Sequence, residues 1–163
     1  MREAGVQAGG AAGPVDASLH FQYGDSDGWR INSDQRRYAL GGRIDYSNAD
    51  DVRGYVDLAA FDEKLGQPGG LWRAEYDADP TQSRHPGDRS DRNGFRIRPG
   101  VTLNLGRDMT FDVDLALSRD ERKGYSDPTN PVEQTRDLTR DFISFSPRLN
   151  LRHRLGGFSN RAT

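Results

Sequence analysis

The 163-residue sequence has no cysteine, which excludes disulfide frameworks, thiol catalysis and zinc–thiolate sites together. Long hydrophobic runs are missing as well, because no stretch approaches the roughly 18 apolar residues that a membrane-spanning helix needs. Charge of one sign is not in excess: 29% of the residues are charged, yet the net charge is −2, so nothing in the charge balance suggests a nucleic-acid partner. These absences exclude a helical membrane protein, but they do not exclude a barrel, in which only alternate residues meet lipid.

Strict two-residue alternation of apolar and polar residues is what the sequence does contain. Three segments show it for ten residues or more: Phe95–Leu105, Met109–Ser118 and Ile143–Arg152. A β-strand points successive side chains to opposite faces, so each segment has one apolar and one charged face. The strand length and the charge on the second face favour a membrane barrel with a water-filled lumen.

Further alternating segments and their connections complete the pattern. Three more strands are predicted at Ala17–Tyr23, Tyr38–Tyr46 and Val52–Glu63, with a weaker one in residues 3–11. The connections between strands alternate between short turns and long polar loops. The predicted fold is therefore all-β: an antiparallel up-and-down meander of about six to seven strands, forming part of a larger transmembrane β-barrel with short periplasmic turns and long extracellular loops.

Two prolines lie inside predicted strands, at Pro99 and Pro147. Proline cannot donate a hydrogen bond to a neighbouring strand and is unusual in central strands. Both occupy the fourth position after the first apolar residue of their strand. This shared position suggests a bulge in the outer part of the wall.

The charged faces supply the candidate site residues. We expect ten side chains to face the lumen: Arg43, Asp45, Arg53, Asp57, Arg96, Arg98, Asp112, Asp114, Arg148 and Arg152. The alternative is a charged surface that only solvates a sheet. Tyrosine and phenylalanine near the strand ends are typical of the aromatic girdles of barrels, although β-propensity also explains them.

The long loops at Asp25–Arg36 and Leu65–Arg92 contain residue types that often anchor ligands. The candidates there are Trp29, Arg30, Trp72, Arg73 and Tyr76, and packing of the loops themselves is the alternative. The three histidines lie far apart in the sequence, so no metal site is predicted. No nucleophile elbow or phosphate-binding loop is present, so no enzyme activity or cofactor is predicted.

Four short motifs in order resemble the barrel of TonB-dependent outer-membrane receptors. Asp27-Gly28-Trp29-Arg30-Ile31-Asn32-Ser33 resembles the DGYR-x-N/H-S loop of that family, and Gln67-Pro68-Gly69-Gly70-Leu71 is similar to its L-P-G-x-L loop. Asp79-Pro80 matches the D-P that follows, and Ser146-Pro147-Arg148-Leu149 resembles an S-P-R-L strand. The resemblance covers about residues 3–155.

The resemblance implies a slice of a 22-stranded barrel that actively imports a metal chelate, siderophore-like, or a similar nutrient. Implied partners are a plug domain, the remaining barrel strands, the TonB complex acting through the plug, outer-membrane lipid and a small-molecule chelate. The whole chain, residues 1–163, is expected to be barrel, with no plug domain, TonB box or closing strand, and to be a piece of a longer exported protein in the outer membrane. The alternatives are a passive porin-like barrel, an outer-membrane barrel enzyme and a soluble β-sandwich binding module.

Overall fold

The computed structural model describes residues 1–48, 51–106, 108–127, 136–155 and 158–162, with side chains described as far as Arg152. These residues form eight strands and one short helix. The elements are β1 (Arg2–Ala12), β2 (Val15–Ser26), β3 (Gln35–Asn48), β4 (Val52–Gly66), α1 (Arg73–Ala78), β5 (Arg89–Asn104), β6 (Met109–Tyr125), β7 (Arg136–Leu155) and β8 (Phe158–Ala162).

All eight strands belong to one antiparallel sheet in sequence order, so the chain is a meander. The seven predicted strands are β1 to β7, and the short β8 adds an eighth where a further strand was expected to start. No second layer covers this sheet in the described part of the chain, and no apolar side chain there is buried. The β-sandwich alternative is therefore wrong.

The strands β2 to β7 all extend further toward the long loops than the alternation indicates, and three of them do so by six residues or more. The structure begins β5 at Arg89 rather than Phe95, ends β6 at Tyr125 rather than Ser118, and begins β7 at Arg136 rather than Ile143. Most residues on both faces of these three extensions are polar, with Tyr125, Leu138 and Phe142 as exceptions, so the period-two signal disappears although the backbone pairing continues.

The connection between β4 and β5 is not wholly irregular as predicted, because it contains α1. Glu75 accepts a hydrogen bond from the backbone N–H of Trp72 at 2.7 Å, and so satisfies one of the donors left free at the helix start. A helix of six residues is too short to produce a recognisable periodic pattern.

The short turns lie at one end of the sheet, which we call the turn end; the opposite end is the loop end. Gly13 has a φ of 58°, as the first central residue of a two-residue hairpin loop needs. Backbone hydrogen bonds join neighbouring turns, from Ser47 N–H to the Pro14 carbonyl and from Asn104 N–H to the Asp51 carbonyl, both at 2.8 Å. The turn end is therefore held together across hairpins.

The register has the same offset on both sides of each strand proline, with no extra residue inserted, so the suggested bulge is wrong. Leu105 N–H bonds the Met109 carbonyl, so the odd-numbered residues of β5, including Pro99, direct their backbone groups toward β6. The pairing of β5 with β6 accordingly has a gap at residues 98–99.

Pro147 differs from Pro99 in that its missing N–H would not point toward β6. Arg152 N–H bonds the Asp108 carbonyl, so the even-numbered residues of β7 face β6 and Pro147 faces the other way. Pairing between β6 and β7 therefore continues through Val113 and Pro147 without a gap.

Candidate functional site

The sheet register brings all ten predicted charged residues to one face, which we call the polar face. Arg43 lies opposite Asp57, and Asp57 lies opposite Arg98 in the next strand. Directly opposed residues project to the same side of a sheet, and alternation carries that side along each strand. The members are Arg43, Asp45, Arg53, Asp57, Arg96, Arg98, Asp112, Asp114, Arg148 and Arg152.

The opposite side of the sheet, which we call the apolar face, is continuous from β2 to β7. One row of register partners on it is Leu19, Gly42, Leu58, Ile97, Leu117 and Ile143. Several of these side chains are well exposed, among them Leu19 at 53% and Ile143 at 72%. The face is thus a broad apolar surface that nothing in the described chain covers.

The apolar band runs obliquely across the strands. In β2 it spans residues 15–23, centred on Leu19, whereas in β7 it spans residues 143–151, centred on Pro147. The register carries Leu19 to Ile143, so the band drifts by four residues over five strand-to-strand steps. With about 3.3 Å per residue and about 4.8 Å between strands, this drift corresponds to a strand tilt of roughly 30°. Closed barrels have tilts close to this value.

Tyrosines mark both ends of the band on β3. Tyr38, toward the loop end, stacks at a tilt with Tyr23, with 5.0 Å between ring centroids, and Phe21 lies 6.4 Å away. Tyr46 lies near the turn end of the same strand on the same face. Tyr23, Tyr38 and Tyr46 lie near strand ends, whereas Phe95 lies well inside β5, which begins at Arg89.

A connected set of polar side chains surrounds Tyr55 on the polar face. The Tyr55 hydroxyl donates to Asp114, and Arg148 donates to the other oxygen of Asp114 at 2.6 Å. Arg98 Nε donates to the Tyr55 hydroxyl at 3.2 Å, while the Arg43 guanidinium lies 4.3 Å from the centre of the Tyr55 ring. This network, which links β3 to β7, joins four predicted residues through a tyrosine that the sequence did not single out.

Gly100 provides the space for that tyrosine. It pairs directly with Tyr55, and a Cβ at this position would collide with the ring. The same arrangement recurs on the polar face where the ring of Phe61 lies over Gly94. Each aromatic ring thus covers a glycine of the neighbouring strand, and the missing side chain lets the ring lie close to the sheet.

Two further groups of hydrogen bonds tie predicted residues together. Arg43 Nε donates to both oxygens of Asp45 at 2.7 and 2.9 Å, and its Nη1 donates to Asp57 at 3.0 Å. Closer to the turn end, Asp112 accepts from Thr102 and from Asn150, each at 2.6 Å. The remaining three predicted residues, Arg53, Arg96 and Arg152, lie on the same face outside these groups.

A recess of about 630 Å³ opens on the polar face over β5, β6 and β7. Its floor is made of small residues: Ala116, Ser118, Ser144 and Ser146. Arg96, Arg98 and Arg148 rim it, with one acid, Asp114. Small side chains leave space for another molecule. Arg148 is paired with Asp114 and Arg98 with Asp57, so Arg96 is the rim guanidinium that lies outside the ion pairs found among the described residues.

The loop candidates lie in the connections at the loop end. Trp29, Trp72 and Tyr76 expose 66%, 68% and 51% of their surface. Arg73 pairs with Asp77 one helical turn away at 2.8 Å. Arg30 is half-buried, and its guanidinium donates to backbone carbonyls of the other long loop.

One loop carboxylate has a shifted pKa. Hydrogen bonds from the Thr81 hydroxyl at 2.7 Å and the Thr81 backbone N–H at 2.8 Å lower the pKa of Asp79 below its ordinary value. The ionised side chain closes the turn after α1, so it orders the D-P motif locally.

Neither a metal-ligand cluster nor a membrane-crossing helix is found in the ranges that the structure describes. No three His, Asp or Glu side chains converge there as ligands, and α1 is too short and polar to span a bilayer. His20 packs over Gly41 and His85 lies in the second long loop. The side chain of His153 falls outside the described residues.

Comparison with known proteins bears on the fold. No protein-family model and no curated protein matches the sequence. The chain is similar in structure to the ferric citrate transporter FecA in its unliganded form, with a TM-score of 0.83, 22% identity, and coverage of 98% of this chain and 24% of that one.

It is also similar to the ferric-catecholate import receptor Fiu of E. coli K12 in an open form, with a TM-score of 0.73 and 12% identity over 97% of this chain. That match covers 30% of Fiu, so the chain spans about a quarter to a third of these proteins. The likeness confirms the predicted fold, an all-β antiparallel meander that matches part of the barrel of these proteins.

Proposed function

We propose that the chain forms part of the barrel wall of an outer-membrane receptor that actively imports a metal chelate, or a similar nutrient, in the complete protein. One observation carries the proposal: an oblique apolar band covers one face of a single sheet whose other face is charged. A wall between hydrocarbon and a wet lumen needs this combination. Likeness in fold to a ferric citrate transporter and a ferric-catecholate import receptor supports the cargo class.

In this proposal the apolar face meets lipid. Five alternate residues per strand, such as those at positions 15–23 of β2, match the roughly 9–11 residues that a tilted strand needs to cross a bilayer. Tyr38 and Tyr46 then lie at the two interfaces, where amphipathic rings are favourable. The turn end is periplasmic and the loop end extracellular.

The polar face lines the lumen. Its ten predicted charged residues meet the plug domain or the passing cargo, and energy from the TonB complex reaches the channel through that plug. Arg96 on the rim of the recess supports an anionic chelate as cargo, because a guanidinium group binds carboxylates with charge-assisted hydrogen bonds, while Arg98 and Arg148 are paired with acids of the wall. The exposed Trp29, Trp72, Arg73 and Tyr76 are available for ligand capture at the loop end.

Adjacent residues on opposite faces give the sharpest test of the wall. Leu115 lies near the middle of the apolar band, and Ala116 lies on the floor of the polar recess. In the complete receptor, Leu115→Arg should lower the free energy of unfolding by about 2–4 kcal/mol, and Ala116→Arg by far less. Urea unfolding in lipid vesicles measures both variants, and equal losses would contradict the assignment of the faces.

Active import separates the proposal from a passive porin-like barrel. Cells that depend on the complete receptor should take up ferric citrate or a ferric catecholate as iron probes, and uptake should stop when the inner-membrane energy source is removed. Uptake that persists without energy would indicate a passive pore. Absence of uptake for both probes would exclude the proposed cargo class.

A further inference from the structure

The two long loops at the loop end are joined by side-chain to backbone hydrogen bonds. The first loop, residues 27–34, connects β2 to β3, and the second, residues 67–88, connects β4 to β5 and contains α1. Arg30 donates from Nε and Nη2 to the Gln82 carbonyl at 3.2 and 3.0 Å, and from Nη2 to the Gly69 carbonyl at 2.9 Å. The Arg30 side chain of the first loop therefore binds the second loop both before and after α1.

Asn32 makes a second connection further along the same loop. Its side-chain amide donates to the carbonyls of His85 and Asp88, both at 2.7 Å. Asn32 has a φ of 59°, a conformation that asparagine tolerates better than most residues. Between these two side chains, the backbone N–H of Ile31 donates to the Thr81 carbonyl at 2.8 Å.

The first loop is itself braced. The Ser33 hydroxyl accepts from the Arg30 backbone N–H at 3.0 Å and donates to the Arg30 carbonyl at 2.7 Å. Gly28 has a φ of 71°, and a Cβ there would collide with Ser33. Arg30, Asn32 and Ser33 are half-buried, while Trp29 is exposed. Arg30 and Asn32 therefore bind the neighbouring loop, and Trp29 faces solvent.

We propose that Arg30 and Asn32 are positioning residues, which hold loop 67–88 in one conformation so that Trp72 and Tyr76 are presented on an ordered surface. Loop 67–88 contains a single short helix and has cross-links of its own, such as the Gln82 amide on the Glu75 carbonyl at 2.6 Å, and the side chains of Arg30 and Asn32 fix this cross-linked loop to its neighbour. A loop ordered in advance loses less conformational entropy when it binds a ligand. This role differs from the ligand contact first expected of Arg30, and its consequence for uptake rests on the proposed function.

Asn32→Asp in the complete receptor is the primary test. It keeps the shape of the side chain but replaces the donating amide with a carboxylate that faces two carbonyl oxygens. Hydrogen exchange of the amides in residues 81–88 should accelerate roughly tenfold or more, because two hydrogen bonds are lost. Exchange in β4 and β5 should stay unchanged. Gln22→Glu makes the same change from amide to carboxylate at an exposed position of β2, whose register partners Gly5 and Ala39 are uncharged, and is the matched control.

Arg30→Gln provides an independent variant, with Arg73→Gln as its control. Arg73 lies in the same second loop, where its side chain is exposed and pairs only with Asp77 among the ion pairs of the described residues. Arg30→Gln should accelerate exchange across residues 68–82, and Arg73→Gln should not. Exchange rates in loop 67–88 that match wild type in both Asn32→Asp and Arg30→Gln would overturn the proposal.

Uptake of ferric citrate as a probe adds a second readout. Asn32→Asp and Arg30→Gln should each raise the concentration of ferric citrate that gives half-maximal uptake. Neither variant should lower the maximal rate of uptake or the amount of receptor at the cell surface. A rise for Arg30→Gln without faster exchange would assign Arg30 to ligand contact and contradict the positioning role. If the receptor imports no iron probe, the proposed function fails, while the exchange experiment still decides whether the two residues order the loop.

Discussion

At the scale of single residues, the polar face depends on glycines that accommodate aromatic rings. Tyr55 reaches Asp114 only because its ring can lie over Gly100. The ring also carries the guanidinium groups of Arg43 and Arg98 on or near it, at 4.3 and 5.4 Å from its centre. A glycine in a strand normally weakens pairing, so its presence here is explained by the close approach of the ring.

Replacing this glycine tests the network directly. Gly100→Ala should displace the Tyr55 ring, separate its hydroxyl from Asp114, and lower the free energy of unfolding by about 1–3 kcal/mol. Gly124→Ala is the control, since a Cβ there would meet only ordinary contacts, the nearest at 3.7 Å. Urea unfolding of the Gly100→Ala and Gly124→Ala variants measures the difference in their free energies of unfolding. Equal stability would mean that Tyr55 does not need the space over Gly100.

Some residues of the polar face could be predicted from the sequence, and others could not. Charged positions on one face follow from alternation alone, and all ten predicted residues lie on that face. Tyr55 and Gly100 could not be singled out, because their pairing depends on the register between two strands 45 positions apart in the chain. The role of Asn32 was equally hidden, since its partners are carbonyl groups more than 50 residues away.

At the scale of strands, the sequence predicts the apolar band but not how far pairing continues beyond it. Alternation locates β2 to β7 because one face of each strand must be apolar. Above the band, ion pairs such as Arg119 with Asp141 at 2.7 Å replace apolar contacts, and strands continue without a period-two signal. The tilt is visible only when the register aligns the bands of different strands.

The tilt makes a prediction about two residues in one register row. Leu19 and Ile143 are connected by register across five strand steps, yet Leu19 is at the centre of its band and Ile143 is at the loop-end edge. Leu19→Arg should cost about 2–4 kcal/mol of unfolding free energy, and Ile143→Arg only about 0–1 kcal/mol near the interface. Urea unfolding in vesicles measures both, and equal costs would contradict a tilted wall.

At the scale of the whole molecule, the described sheet has two edges: one is β1, and the other is formed by β7 together with the short β8, which pairs with Leu151–Leu155 alone. β1 pairs with β2 along its length, and its other side presents unpaired backbone groups. In lipid an unpaired N–H or C=O costs several kcal/mol, because no water can replace the missing partner. The eight strands therefore need the remaining wall of a closed barrel on both sides.

This requirement predicts how the chain behaves without that wall. The isolated chain, refolded with lipid vesicles, should be digested by added protease and extracted by urea, whereas the complete receptor should resist both treatments. The difference follows from the unsatisfied backbone at the two sheet edges rather than from the apolar face, which the two proteins share. The variant Leu115→Arg in the isolated chain should therefore change extraction very little. A protease-resistant band from the isolated chain would mean that the sheet closes by another route, and cross-linking would show whether several copies form the cylinder together.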